Sequence, residues 1–264
     1  MMNDILCPTD LTDTAMRGVL YADVIAARLH GSVSLLHVMG KHELKGDGRT
    51  NAKMRMDHHA SLIKHAPVSR HFREGDFIHE IAMESRTGHA LMVCATHGPH
   101  GLRQSLFGSD ILTLVRKVAV ASLVVQEQSP LPNVFSTIVL PVAGHDGIDG
   151  LLSAVTRLAL AFDSEVHVYQ VMRPGETPSD QLLGNKRRML DHLAQASVRH
   201  IEVNEPSTAF SVGFAAPTIA YSERVGAGCI AIMSVASDDY RYIADAEKER
   251  LLTNGTGIPV LCAH

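Results

Sequence analysis

The sequence predicts an α/β protein built from two tandem five-stranded parallel-sheet domains, and three observations carry that prediction. Short apolar segments alternate with helical patterns along all 264 residues. The pattern of the first half returns in the second. Between the halves lies Gln128-Ser129-Pro130-Leu131-Pro132-Asn133, a polar stretch that its prolines make short and stiff. Residues 1–128 and 133–264 are therefore expected to be separate domains of ordinary size.

The first strand is expected at Asp4-Ile5-Leu6-Cys7-Pro8, followed by a polar turn, a helix and a second strand at Val33 to Val38, which is a βαβ unit. Ala15, Val19, Ala22, Ala26 and Leu29 recur at steps of four and three and so share one helical face. Thr12 is the expected N-cap and Gly31 the expected terminator. Adding 133 to each number gives a strand at Thr137 to Pro141, a stripe of Ile148, Leu152, Val155, Ala159 and Phe162, and a strand at Val166 to Val171. Apolar falls on apolar throughout, the signature of a duplication.

Helices near residues 50–66 and 178–197 come next, then strands near Val68 to Arg73 and Val198 to Val203. Fourth strands are expected at Ala90 to Cys94 and Cys229 to Met233, and fifth strands at Ser122 to Val125 and Pro259 to Cys262. Parallel strands need right-handed helical crossovers, so each sheet should be covered on both faces. The fifth strands are apolar edges that need covering, and pairing them would make the two halves an internal pseudo-dimer.

Composition narrows the function classes. With 45% hydrophobic and 20% charged residues the chain can bury a core. A net charge of -4 and the lack of a basic stripe with interleaved aromatics argue against nucleic acid as partner. The apolar runs are too short to span a bilayer, and Met1-Met2-Asn3-Asp4 does not open a signal peptide, so a cytoplasmic location is expected. Cys7, Cys94, Cys229 and Cys262 lie singly in apolar segments and read as buried reduced thiols.

The informative segment runs from Cys94 through Ala95-Thr96-His97-Gly98 to Gly108-Ser109, leaving the fourth strand and entering a helix. Glycines in such a loop let backbone N–H groups approach an anion, and the following helix start favours phosphate. The crevice of a doubly wound sheet lies where strand order reverses, beyond the carboxyl ends of the strands. That topology would bring together Asp10 and Gly98, which are 88 residues apart. His97 and His100 have no carboxylate or cysteine cluster to complete a ligand set, and His58-His59 reads as a solvated helical face. No nucleophile elbow, Walker lysine or kinase-like Asp and Asn pair is present; Ser153, His145 and Asp146 group only loosely in the sequence.

These residues resemble the universal stress protein family. From Gly98, nine residues lead to Gly108-Ser109, as in that family's nucleotide motif, and Ile5-Leu6-Cys7-Pro8-Thr9-Asp10 is similar to its first strand and aspartate. One departure is Ala95, where the motif has its first glycine. The resemblance implies a flavodoxin-like strand order and an adenosine pocket lined by Pro8, Thr9, Asp10 and Val38, with Cys94 and Ala95 beside the base or ribose. It implies that His97, Gly98, Gly108, Ser109 and the backbone of Asp110 hold the phosphates of ATP or another adenine nucleotide, with a magnesium or manganese ion carried by those phosphates.

The second half has Pro141-Val142-Ala143 in place of Pro8-Thr9-Asp10, and Ser234 to Arg241 contains no glycine, so it is expected to be a degenerate copy without nucleotide. The function expected is a nucleotide-binding stress-response module acting on a protein partner. A slow ATP hydrolase or nucleotidyl-transfer relative, and an adaptor without nucleotide, are the alternatives.

Overall fold

The computed structural model describes residues 3–96, 110–131, 135–172, 174–175, 177–207, 213–235 and 241–264. The expected loop residues His97, Gly98, Gly108 and Ser109 lie outside them.

The first half runs β1 (Ile5–Pro8), α1 (Asp13–Arg28), β2 (Val33–Met39), α2 (Gly48–Ser61), β3 (Val68–Glu74), α3 (Phe77–Glu84), β4 (Leu91–Thr96), α4 (Ile111–Lys117) and β5 (Ser122–Gln126). The second runs β6 (Thr137–Pro141), α5 (Asp149–Phe162), β7 (Glu165–Met172), α6 (Asp180–Gln195), β8 (Arg199–Pro206), α7 (Ala215–Arg224), β9 (Cys229–Met233), α8 (Arg241–Leu252) and β10 (Val260–Ala263). The duplication holds at the level of register. Ile5 pairs with Val33 and Ile138 with Val166, the same offset in both halves.

Helix α1 begins where expected: the Thr12 hydroxyl accepts from Ala15 N–H at 3.3 Å and Asp13 sits in the positive first turn. Its end differs from expectation. His30, not Gly31, adopts the left-handed conformation at φ 53°, while His30 N–H bonds to Ala27 O and Gly31 N–H to Ala26 O, closing a Schellman motif. Gly31 is required for a different reason. A Cβ there would stand 1.8 Å from the Asn3 carbonyl oxygen.

Within each half all strand pairs are parallel, in the order β3-β2-β1-β4-β5 and β8-β7-β6-β9-β10. This corrects the flavodoxin-like order, in which the first strand would sit between the second and third. Here the α2 crossover carries the chain outward from β2 to β3, and α3 then returns it past β1 to β4. The reversal therefore falls between β1 and β4, and in the second half between β6 and β9.

β5 and β10 pair antiparallel, Leu123 with Leu261 and Val124 with Val260, joining all ten strands in one sheet. Each fifth strand thus closes the other's open hydrogen-bonding edge. Successive side chains alternate between faces. Leu123 and Leu261 join the core under α1, α2, α5 and α6, whereas Val124 and Val260 join the core under α3, α4, α7 and α8. Both cores run across the two halves. Polar links reinforce the junction: Gln126 donates to Leu252 O at 2.9 Å, Tyr21 donates its hydroxyl to Pro130 O at 2.8 Å, and Arg116 forks onto Asp245.

At the amino ends of the strands His89 Nδ1 lies 2.6 Å from Asp4 Oδ2, and Glu84 stands between His89 and Arg73. Burial opposes the His89 charge, but the Asp4 hydrogen bond and the charges of Asp4 and Glu84 outweigh it, so its pKa is raised. Burial likewise opposes the Asp4 charge, and bonds from His89 and Ser32 outweigh it, so that pKa is lowered. A raised histidine stabilises fully below its ordinary value of 6.5 and loses that contribution as pH climbs through the folded value. A lowered aspartate stabilises above 3.8 and loses it as pH falls through its folded value. Thermal melts should accordingly show a stability maximum between these limits. His89→Gln should cost about 1–2 kcal/mol at pH 6 and less at pH 8; a pH-independent loss would contradict this assignment.

Candidate functional site

The carboxyl ends of β1, β2 and β4 converge where the strand order reverses, and six of the expected site residues lie on or directly after these strands: Pro8, Thr9, Asp10, Val38, Cys94 and Ala95. Pro8 ends β1 opposite Leu36, and Thr9 continues the pairing by donating its N–H to Leu36 O at 2.9 Å. That register carries Asp10 alongside Val38 near the end of β2. On the other side β1 pairs with β4 at Ile5–Leu91 and Leu6–Met92, so β4 leads Cys94 and Ala95 to the same edge.

Asp10 is half-buried, and its Oδ1 accepts from Thr12 N–H at 3.1 Å and from the Thr12 hydroxyl at 2.6 Å. This is an Asx turn that starts α1 and fixes the carboxylate just beyond the carboxyl end of β1. The turn role and the binding role are compatible, because each uses different lone pairs of one carboxylate. Thr9 is buried; its Oγ1 accepts from Leu11 N–H at 3.0 Å and lies 3.0 Å from His59 Nδ1.

His59 overturns the expectation of a solvated face. It is 1% exposed, and Ala52, Met56 and Ala60 share its buried side of α2. Burial, with the neighbouring His58 charge, lowers its pKa. A neutral ring can accept the Thr9 hydroxyl proton at Nδ1. His37 was not foreseen either: its Nδ1 lies 2.8 Å from Thr9 O and its Nε2 3.0 Å from Glu43 Oε1, while Glu43 Oε2 accepts from Gly40 N–H. Thr9 is thus held by two buried histidines, one on β2 and one on α2. The spacing of Ala52, Met56, His59 and Ala60 is that of one helical face and was the available signal for His59.

Cys94 and Ala95 face opposite cores. Burial pushes the Cys94 thiol up to about 12, which leaves it protonated and unreactive at neutral pH. The Ala95 methyl packs toward α1, where a Cβ on Gly18 would lie 3.5 Å from the Ala95 Cβ and 3.1 Å from its nitrogen. Gly18 thereby lets α1 approach the β4 backbone closely. Asp110 precedes α4, is exposed, and accepts from Leu114 N–H through its carbonyl at 2.8 Å.

All four cysteines are free and buried. Among the described residues no three His, Cys, Asp or Glu side chains converge as a metal-binding group. Among those residues, too, no helix is long and apolar enough to cross a membrane. Ser153 lies on α5 beside Leu29 and Val120, whereas His145 lines a different cavity, so the loose grouping of Ser153, His145 and Asp146 does not form a common site.

The fold recurs in solved structures over the full chain. A universal stress protein from Archaeoglobus fulgidus superposes with a TM-score of 0.76 at 17% identity, covering 99% of this chain and 98% of its own. A putative universal stress protein from Pseudomonas aeruginosa gives 0.61 at 16% identity, covering 99% and 92%. The cytoplasmic domain of a prokaryotic cation chloride cotransporter gives 0.53 at 12% identity, covering 100% and 95%. No curated protein matches the sequence. At these identities the likeness shows a shared fold. The sequence model of the universal stress protein family matches residues 1–126, so the first half of the chain carries a domain of universal stress protein type.

Proposed function

We propose that the first half binds ATP or another adenine nucleotide and that the protein is a cytoplasmic stress-response module whose nucleotide occupancy alters its affinity for a protein partner. The observation that supports this reading is the reversal of strand order between β1 and β4, since the strand that leads to Asp10 pairs with the strand that leads to Gly98 in the sequence. Pro8, Thr9, Asp10 and Val38 would line the adenosine pocket, Asp10 accepting from a ribose hydroxyl, with Cys94 and Ala95 beside the base or ribose. Gly98, Gly108 and Ser109 would offer backbone and hydroxyl donors to phosphate, together with His97 and the backbone of Asp110. A magnesium or manganese ion would come with the phosphates, which need few protein ligands to hold one.

In this reading the domains are residues 1–128 and 133–264, and only the first takes nucleotide. Ala143 stands where Asp10 stands in the first half, and no glycine lies between Cys229 and Asn254. Calorimetric titration with ATP tests the site. Asp10→Ala should weaken binding about 10- to 100-fold, the worth of a hydrogen bond to a charged group, and should also lose about 1 kcal/mol of stability with the Asx turn. Asp10→Asn keeps an acceptor for Thr12 and should fold like the parent while still binding more weakly. Unchanged affinity in both variants would remove Asp10 from the site.

A further inference from the structure

The carboxyl ends of β6, β7 and β9 enclose a cavity of about 590 Å³ in the half that lacks the nucleotide motif. That volume lies in the range of small-molecule sites, which are mostly apolar with a few placed polar groups. Here the wall includes Val142, Ile148, Tyr169, Leu182, Phe214 and Ile232. Among its polar groups is Lys248, 2% exposed, whose ammonium donates to Val235 O. Among the described residues this bond engages one of its three N–H donors.

Two described carboxylates stand close to Lys248 in the sequence, Asp245 and Glu247, and Glu247 itself lines the cavity. Asp245 receives both guanidinium nitrogens of Arg116, and Glu247 accepts from Ala215 N–H at 2.7 Å where α7 begins. Burial, with the charge of Arg116, lowers the Lys248 ammonium to about 8. Burial and the Lys248 charge also lower the pKa of His145 on the cavity rim. A cation desolvated in this way gains most from an anion that arrives with an apolar body. The rim is preformed: Asn185 Nδ2 donates to Ala143 O at 2.8 Å and to His145 O at 2.7 Å, pinning the loop after β6 to α6. The segment after β9 would offer a triphosphate no glycine-opened backbone, since residues 229–254 contain no glycine.

We propose that this cavity is a second ligand site that takes a small apolar monocarboxylate, its acid group on Lys248 and its hydrocarbon body against the wall between Ile148 and Phe214. The site is independent of the nucleotide reading of the first half.

The test is calorimetry on the full chain with octanoate, 1-octanol and ATP as probes, in the parent and in a Gly108→Val background that closes the first site. Octanoate should saturate one site equally in both proteins, and ATP should not displace it. Lys248→Met should weaken octanoate at least about tenfold, the worth of one charge-assisted bond, and change 1-octanol less than roughly threefold. Ala143→Trp fills part of the cavity from another wall residue while keeping Lys248 and should abolish binding of both, which keeps the proposal testable if Lys248→Met does not fold. Absence of saturation by millimolar octanoate, equal binding of octanol and octanoate, an unaffected Lys248→Met, or displacement by ATP would each overturn it.

Discussion

Replacing Gly108 with Val is expected to abolish measurable ATP binding while leaving the protein folded. The glycine ends the nine-residue interval after Gly98 in the sequence, and in the proposed site a branched side chain there would occupy the space that phosphate oxygens need to reach backbone N–H groups. Each such bond to a charged oxygen contributes about 1.5–3 kcal/mol, and losing two of them lowers affinity more than about a hundredfold. Calorimetry together with a thermal melt checks both halves of the expectation. Undiminished ATP affinity in a folded Gly108→Val protein would show that the phosphate cradle has been assigned to the wrong loop.

The second large effect concerns the junction of the halves. Val124 is fully buried on β5, pairs with Val260 on β10, and belongs to a core that also holds Leu114, Leu252 and Ile258. Val124→Asp would leave a desolvated carboxylate without a cation among those side chains, at a cost of about 4 kcal/mol or more, a large part of the stability of a domain. Urea unfolding should show the midpoint collapse, with an expanded scattering profile if the two sheets part. Leu131→Asp, at a position 61% exposed beside the same junction, should stay within about 0.5 kcal/mol of the parent and serves as control. Equal stability of both variants would mean that the β5–β10 seam carries little of the fold.

Much of this architecture was legible because period and repetition are local signals. The stripes from Ala15 to Ala26 and from Ile148 to Ala159 are buried as their spacing implies, and the strand offset of the duplication reappears in the pairing register. Strand order was less legible, since the direction in which the α2 crossover places β3 depends on packing rather than on local periodicity. His59 was misread because histidine on a polar helix suggests solvent, although its place on the Ala52–Met56–Ala60 face pointed inward. The link from His37 to Thr9 and Glu43 joins residues on three segments, and only the fold brings them together. His30 took the left-handed position expected of Gly31 because the close approach of Asn3 reserves the next position for a residue without Cβ.

The Ala95 methyl is buried in the core under α1, where Gly18 lets the helix come so close that a Cβ there would stand 3.1 Å from the Ala95 nitrogen. The second half kept the same strand scaffold but replaced the crevice groups, with Ala143 for Asp10 and Lys248 buried in the wall of an apolar cavity. One scaffold thus presents two crevices of different chemistry, and the nucleotide reading applies to the first alone.

The central claim is one adenine-nucleotide site per chain, in the first half. The most direct measurement is the number of ATP equivalents bound at saturation by the parent chain and by the double variant Asp10→Asn, Gly108→Val. The account predicts one equivalent for the parent and none for the double variant. Two equivalents in the parent, or one retained at full affinity in the folded double variant, would contradict it.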